Sequence, residues 1–178
     1  MNEDYKSEDY KSEEIVNATP ARTMPKLLVT QASRHDAEAL NLIEIKTRDF
    51  PLSVREIQNL ITDRDRMAVI FTVNAVIQGW CCFRADNPNL VIEHLAALLG
   101  PREEQKLTIA MLFSKITETP VSSPLANPIV RVIWPEHETD SKIFEILLDL
   151  GFEAVGLEKD AFQSYGQAWD GIILEAQF

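Results

Sequence analysis

Short apolar runs alternate with segments of helical spacing along almost the whole chain from Lys26 onward. "KLLVTQA" is a β-rich run and is expected to form the first strand. "SRHDAEALNLIEIKTRDF" follows, with Ser33 as a helix N-cap, Asp36 in the first turn, and Ala39, Leu42, Ile43 and Ile45 at helical spacing. Pro51 interrupts that helix, and Ser53 with Glu56 has the spacing of a capping box opening a second. "RMAVIFTVNAVIQGWCCFRAD" reads as two strands joined by a turn near Asn74, and Gly79 inside the second predicts a bulge or a close backbone approach. "NLVIEHLAALL" is near-continuously apolar, as a central strand would be. "LLGPREEQKLTIAMLF" then turns at Gly100–Pro101 into a helix from about Glu103 to Thr117. After the Pro/Ser-rich "TPVSSPLANP" come a strand, "IVRVIW", and a helix carrying Ile143, Phe144, Ile146, Leu147, Leu148 and Leu150, with Gly151 as its C′ residue. "FEAVGLEKDAF" and "WDGIILEAQF" close the chain as two antiparallel strands. The order β-α-α-β-β-β-α-β-α-β-β predicts an α/β (α+β) domain, a mixed, mainly antiparallel sheet with helices on both faces.

Composition narrows the function. The 178 residues carry a formal net charge of −11, which disfavours nucleic acid and anionic membranes as partners of the surface as a whole. No apolar run reaches the roughly 18 residues that span a bilayer, and the N-terminus lacks a secretory pattern, so the expected location is cytoplasmic. Adjacent Cys81 and Cys82 would point to opposite faces of a strand and are poor partners for each other, and no metal-ligand spacing is present. Residues 1–24, with the near-repeat "EDYKSEDYKS", read as an acidic, flexible arm or a docking peptide anchored by Tyr5 and Tyr10; residues 25–178 form the one folded domain.

Three stretches, in this order, resemble the Gcn5-related N-acetyltransferase (GNAT) family: "LLVTQASRHDAEALNLIE", "AVIFTVNAVIQGWCCFR" and "SKIFEILLDLGFEAVG". The resemblance covers the chain from about residue 26. It implies acetyl transfer from acetyl-CoA to an amine, with no metal. It further implies that the central strand presents backbone groups, at Leu95 and Ala97, to the cofactor's pantetheine arm, and that a turn at a helix start holds its pyrophosphate. The family's R/Q-x-x-G-x-G/A loop can be laid on the chain in two registers. From Glu104 it puts Leu107 and Ile109 in the glycine places; from Gln105 it keeps Gln105 and the small Ala110, with Thr108 at the first glycine. The implied cofactor residues are Leu95, Ala97, Gln105, Lys106, Leu107, Thr108, Ile109, Ala110 and Asp140. Neither register supplies the glycines, and Glu103 and Glu104 add negative charge at the helix start.

For the chemistry, Glu93 stands where some family members present a general base. Leu147 stands where a tyrosine often sits, and Tyr165 could supply a proton if its loop folds over the site. Read as plain strand residues, Glu93 and His94 face opposite sides, so only one would point into a cleft. His137 reads as a loop residue near a helix cap, and Trp80, Trp134 and Trp169 as core or cleft-rim aromatics. Two functions stay open: an acetyl-CoA-dependent N-acetyltransferase, or a fold kept as a binding or structural module without transfer. An acidic cleft at Glu93 would suit a cationic acceptor such as a lysine or a protein N-terminus. An exposed strand edge near the C-terminus could pair two copies into a homodimer.

Overall fold

The structure, a computed structural model, describes residues 26–86, 89–98, 100–118, 129–139, 141–164 and 166–177. The acidic arm, Asp140 and Tyr165 lie outside the described residues. The elements are β1 (Leu27–Gln31), α1 (Ala37–Thr47), α2 (Val54–Thr62), β2 (Met67–Val73), β3 (Val76–Asp86), β4 (Asn89–Ala97), α3 (Arg102–Thr117), β5 (Ile129–Pro135), α4 (Lys142–Asp149), β6 (Glu153–Ser164) and β7 (Gln167–Gln177). Two 3-10 turns, Arg34–Asp36 and Glu136–Glu138, precede α1 and α4. The element order is the one the sequence pattern predicts.

The strands form one sheet in the order β1-β2-β3-β4-β5-β7-β6, antiparallel except for the central β4–β5 pair. Helices α1 and α2 pack on one face over Trp80, Cys82, Ala68 and Ala96. Helices α3 and α4 pack on the other over Phe71, Cys81, Phe83, Leu95 and Val132. The two cysteines therefore do face opposite sides, both unbridged and buried. Burial, with the Glu93 carboxylate nearby, pushes the Cys82 thiol up to about 12, so it is no thiolate nucleophile at neutral pH. No helix among the described residues is long and apolar enough to cross a membrane.

Local chemistry explains the boundaries. Ser53 Oγ accepts from Glu56 N at 3.3 Å while Glu56 Oε2 accepts from Ser53 N at 2.7 Å, closing the capping box of α2. Helix α4 starts on Ser141, whose Oγ accepts from Phe144 N at 3.2 Å. It ends in a Schellman motif, with Phe152 N donating to Leu147 O and Gly151 at φ +90°. Asn74 and Ala75, both at positive φ, make the β2–β3 turn.

In α1 the buried face is Ala37, Leu40, Ile43 and Glu44, not the Ala39–Leu42–Ile43–Ile45 set expected from spacing. Leu42 and Ile45 are exposed. The reason is Glu44, a charged residue that the apolar pattern passes over and that the fold buries completely.

Gly79 combines both features expected of it. The β2–β3 register slips between Phe71 and Thr72, opposite Gly79. A Cβ at Gly79 would stand 2.2 Å from Ala96 O and 2.3 Å from Phe71 Cζ. Gly79→Ala is expected to lower stability in urea melts by about 1–3 kcal/mol. Gly100→Ala, where a Cβ meets nothing within 4 Å, should stay within about 0.5 kcal/mol of the parent.

Candidate functional site

Strand β4 organises the site through one extra residue. Cys82 pairs with His94 and Phe83 with Ile92, so Glu93 has no partner on β3. The bulge re-phases the strand: Leu90 and Ile92 join the core under α3, whereas Ala96 joins the core under α1. Glu93 and His94 consequently point to the same face, the α1–α2 face. This corrects the strict alternation expected from the sequence.

The two residues do different things there. Glu93 accepts from Nε of Arg66 and, at 2.7 Å, from Nε of Arg84, and Arg66 also pairs with Asp63. Its carboxylate is held by two guanidinium groups. His94, by contrast, packs its ring on Trp80 with centroids 4.7 Å apart and sets Nε2 2.7 Å from Glu44 Oε1. Glu44 also accepts from Trp80 Nε1 at 2.8 Å and from Leu52 N at 3.3 Å. Burial pushes the Glu44 carboxyl up, but His94, Arg48 and the Trp80 hydrogen bond together outweigh it and hold it below its usual range.

Beyond Ile92 the sheet opens. Strand β5 pairs with β4 only from Asn89–Ile92 against Ile129–Val132, then continues with β7 alone. Leu98 N donates to Gln78 O, which fixes the alternation of the β3–β4 ladder. By that alternation Leu95 and Ala97 turn their N–H and C=O away from β3, into the gap that β5 has left.

Arg48, the residue after α1, reaches into this gap with its side chain 6% exposed. Its Nη1 donates to Leu95 O at 3.1 Å, its Nε lies 3.0 Å from Glu138 Oε2, and its guanidinium stands 5.0 Å from the Trp134 ring centroid. The Arg48 Nε–Glu138 contact is an ion pair by distance only, because its angle does not make a hydrogen bond. Burial lifts the Glu138 carboxyl above its usual range, Arg48 opposes this, and Asp49 and Glu44 reinforce it. Beside this pair a small cavity of about 60 Å³ is bounded by Arg48, His94, Pro135, Glu138 and Trp169. His137 packs against Phe50 and Trp169 at centroid distances of 4.9 and 5.0 Å, those two rings being 4.6 Å apart; both its ring nitrogens are buried without a hydrogen bond, and Nε2 lies 3.8 Å from Glu138 Oε1. Burial and then Arg48 lower its pKa, so it is neutral.

The helix start differs from a glycine loop. Helix α3 already begins at Arg102, and Glu104 N and Gln105 N both donate to Pro101 O at 3.1 Å. Lys106, Leu107, Thr108, Ile109 and Ala110 therefore lie inside the helix, their N–H groups directed along its ladder. Free donors at this end belong to Arg102 and Glu103. The Arg102 side chain ties the helix start to Asp149 of α4 at 2.7 Å. Gln105 is buried, with Nε2 unpartnered, in a cavity of about 150 Å³ shared with Phe71, Ala97, Thr108 and Ile109. That cavity lies on the β2–β3 side of β4, across the strand from the gap.

The sequence reading missed Glu44, Arg48 and Glu138. The spacing of α1 places Glu44 one turn from Leu40 and four residues before Arg48, a signal that only the strand opposite makes meaningful. Glu44 is predicted to contribute stability above its unfolded value of 4.5 and to lose that contribution as pH falls through its lower folded value. Glu44→Gln should cost about 1.5–3 kcal/mol at pH 7. In urea melts taken from pH 7 downward, the gap between the two proteins should close below about pH 4.5.

No protein-family model and no curated protein matches the sequence. Solved structures do. The ribosomal-protein-S18-alanine N-acetyltransferase of Escherichia coli superposes with a TM-score of 0.61 at 14% identity, over 85% of this chain and 94% of its own. NAA60 of Arabidopsis thaliana, solved with a bisubstrate analogue, gives 0.60 at 12% identity, over 86% and 99%. The putative acetyltransferase yncA of Salmonella typhimurium, solved with acetyl-CoA, gives 0.54 at 10%, over 85% and 93%. With this topology and these neighbours, the chain has the fold of the Gcn5-related N-acetyltransferases.

Proposed function

We propose that the protein is an acetyl-CoA-dependent N-acetyltransferase. One observation carries the reading: β5 leaves β4 after Ile92, so the backbone of Leu95 and Ala97 faces a gap with His94 and Glu138 at its side. Arg48 already donates to Leu95 O, so a hydrogen-bonding group in the gap can reach this backbone. The residues present fit a pantetheine amide at that level. Acetyl-CoA, when bound, supplies the activated acetyl group. The Arg102 and Glu103 N–H groups and the Arg102 guanidinium would face its phosphates, although Glu103 and Glu104 weaken that end for an anion.

The acceptor amine would enter from the α1–α2 face, past Phe50 and Trp169. His94 is the base this geometry favours: Nε2 faces the Glu44 carboxylate and carries the proton, leaving Nδ1 to accept one from the amine. Glu44 orients the ring, as in other base–carboxylate pairs. Glu93, in the same bulge, is less suited, because protonating it would sever its bonds to Arg66 and Arg84.

The alternative, a module without transfer, draws support from the acidic first turn of α3. The two separate experimentally. Calorimetric titration with acetyl-CoA, followed by thiol-release assays against a panel of primary amines, is expected to show binding and turnover. His94→Gln should cut turnover by about 10²–10⁴-fold with little change in acetyl-CoA affinity, and should lose more than Glu93→Gln. Binding without turnover on any amine, or no binding at all, would overturn the transferase and favour the module.

A further inference from the structure

We propose that the cavity beneath the first turns of α3 binds a small neutral molecule: a benzene-sized apolar body with one hydrogen-bond acceptor, which pairs with Gln105 Nε2. Helix α3 buries a single stripe, Gln105, Ile109, Leu112, Phe113 and Ile116. The last four are apolar and belong to the core under this helix. Gln105 holds the first place in the stripe, where an aliphatic side chain would complete the packing. It is an amide instead, only 7% exposed, and its Nε2 has no hydrogen-bond partner among the described residues. A buried donor in that condition is costly, and an acceptor from outside the chain would relieve it.

The space for that acceptor is present. Gln105 borders a cavity of about 150 Å³ whose apolar walls are Phe71 and Val73 of β2, Ala97 of β4 and Ile109 of α3. An apolar cavity of this volume is large enough to take up benzene. Thr108, also on the wall, spends its hydroxyl proton on Glu104 O at 2.7 Å, so the unspent buried donor is Gln105 Nε2. The mouth lies at Gly100 and Glu104, both exposed, and a Cβ at Gly100 would meet nothing within 4 Å. The Glu104 carboxylate at the mouth turns away anions, and an amide donor inside turns away cations. A neutral carbonyl, ether or ring-nitrogen compound meets both conditions.

This site is distinct from the gap assigned above to the cofactor. Glu104 N and Gln105 N both donate to Pro101 O, so the side chain of Gln105 and not its backbone serves the cavity. Ala97 is common to both places but shows each a different part. Its side chain faces the α3 core, whereas its N–H and C=O lie in the plane of the sheet. The ligand site therefore stands whether or not the protein transfers acetyl.

Pyridine and benzene test it, because they share a shape and only pyridine accepts a hydrogen bond. Each is titrated into the full chain at pH 8, where pyridine is neutral, and followed in the Gln105 side-chain amide and the Ile109 methyl resonances. Pyridine should shift both saturably. Gln105→Met keeps the length of the side chain and removes the donor; benzene should still bind, and the ratio of pyridine to benzene affinity should fall about tenfold. Val73→Phe, which fills the cavity from β2, should abolish the shifts with either ligand. The site is overturned by the parent alone if pyridine moves neither resonance saturably. It is equally overturned if Gln105→Met leaves the affinity ratio unchanged or loses both ligands together, or if binding persists in Val73→Phe.

Discussion

One unpaired residue in β4 sets the geometry of the candidate site. Because Glu93 has no partner on β3, the strand changes phase, and His94 arrives on the face of α1 instead of the face of α3. The same strand loses β5 on its other edge at the same point, after Ile92. Bulge and parting act together. The first brings an ionisable side chain to the α1–α2 face, and the second leaves the backbone of Leu95 and Ala97 without a ladder partner. A strand of regular pleat, paired on both sides, would offer neither.

What fills the resulting space is charge, and its sign alternates. Glu44 binds His94, Arg48 binds Glu138, and each pair is almost dry. Buried ion pairs are poor sources of stability, since desolvation offsets most of their attraction. Their persistence here is easier to understand as positioning. Glu44 fixes the tautomer and tilt of His94, while Arg48 keeps Glu138 compensated next to an open strand edge. The aromatic rings of Trp80, Trp134, Phe50 and Trp169 form the low-dielectric walls within which those charges act on each other strongly.

The architecture was largely legible in the sequence because its signals are local. Capping at Ser53, the turn at Asn74, the glycine at 151 and the apolar runs of β4 and β5 each depend on neighbouring residues, and each element forms where those residues place it. Of the candidate site, the sequence reading reached only the strand that carries the backbone of Leu95 and Ala97. The site's side chains come from α1, β4 and the turn after β5, and Glu44 and Glu138 are separated by 94 positions. No spacing rule joins them. Burial of Glu44 even inverted the expected face of α1, because a charged residue inside the core carries no apolar signature. At α3 the loop expected from the resemblance is helix instead: without glycines it begins at Arg102 and absorbs Gln105–Ala110 into its own hydrogen bonds.

The proposed function places acetyl-CoA at the parted edge of β4. Backbone and arginine side-chain ¹H–¹⁵N spectra recorded during titration with acetyl-CoA address it directly. Saturable shifts at the Leu95 and Ala97 amides and at Arg48 Nε–H are the predicted result. A titration that leaves all three unmoved, or moves only residues around the Gln105 cavity, would contradict it.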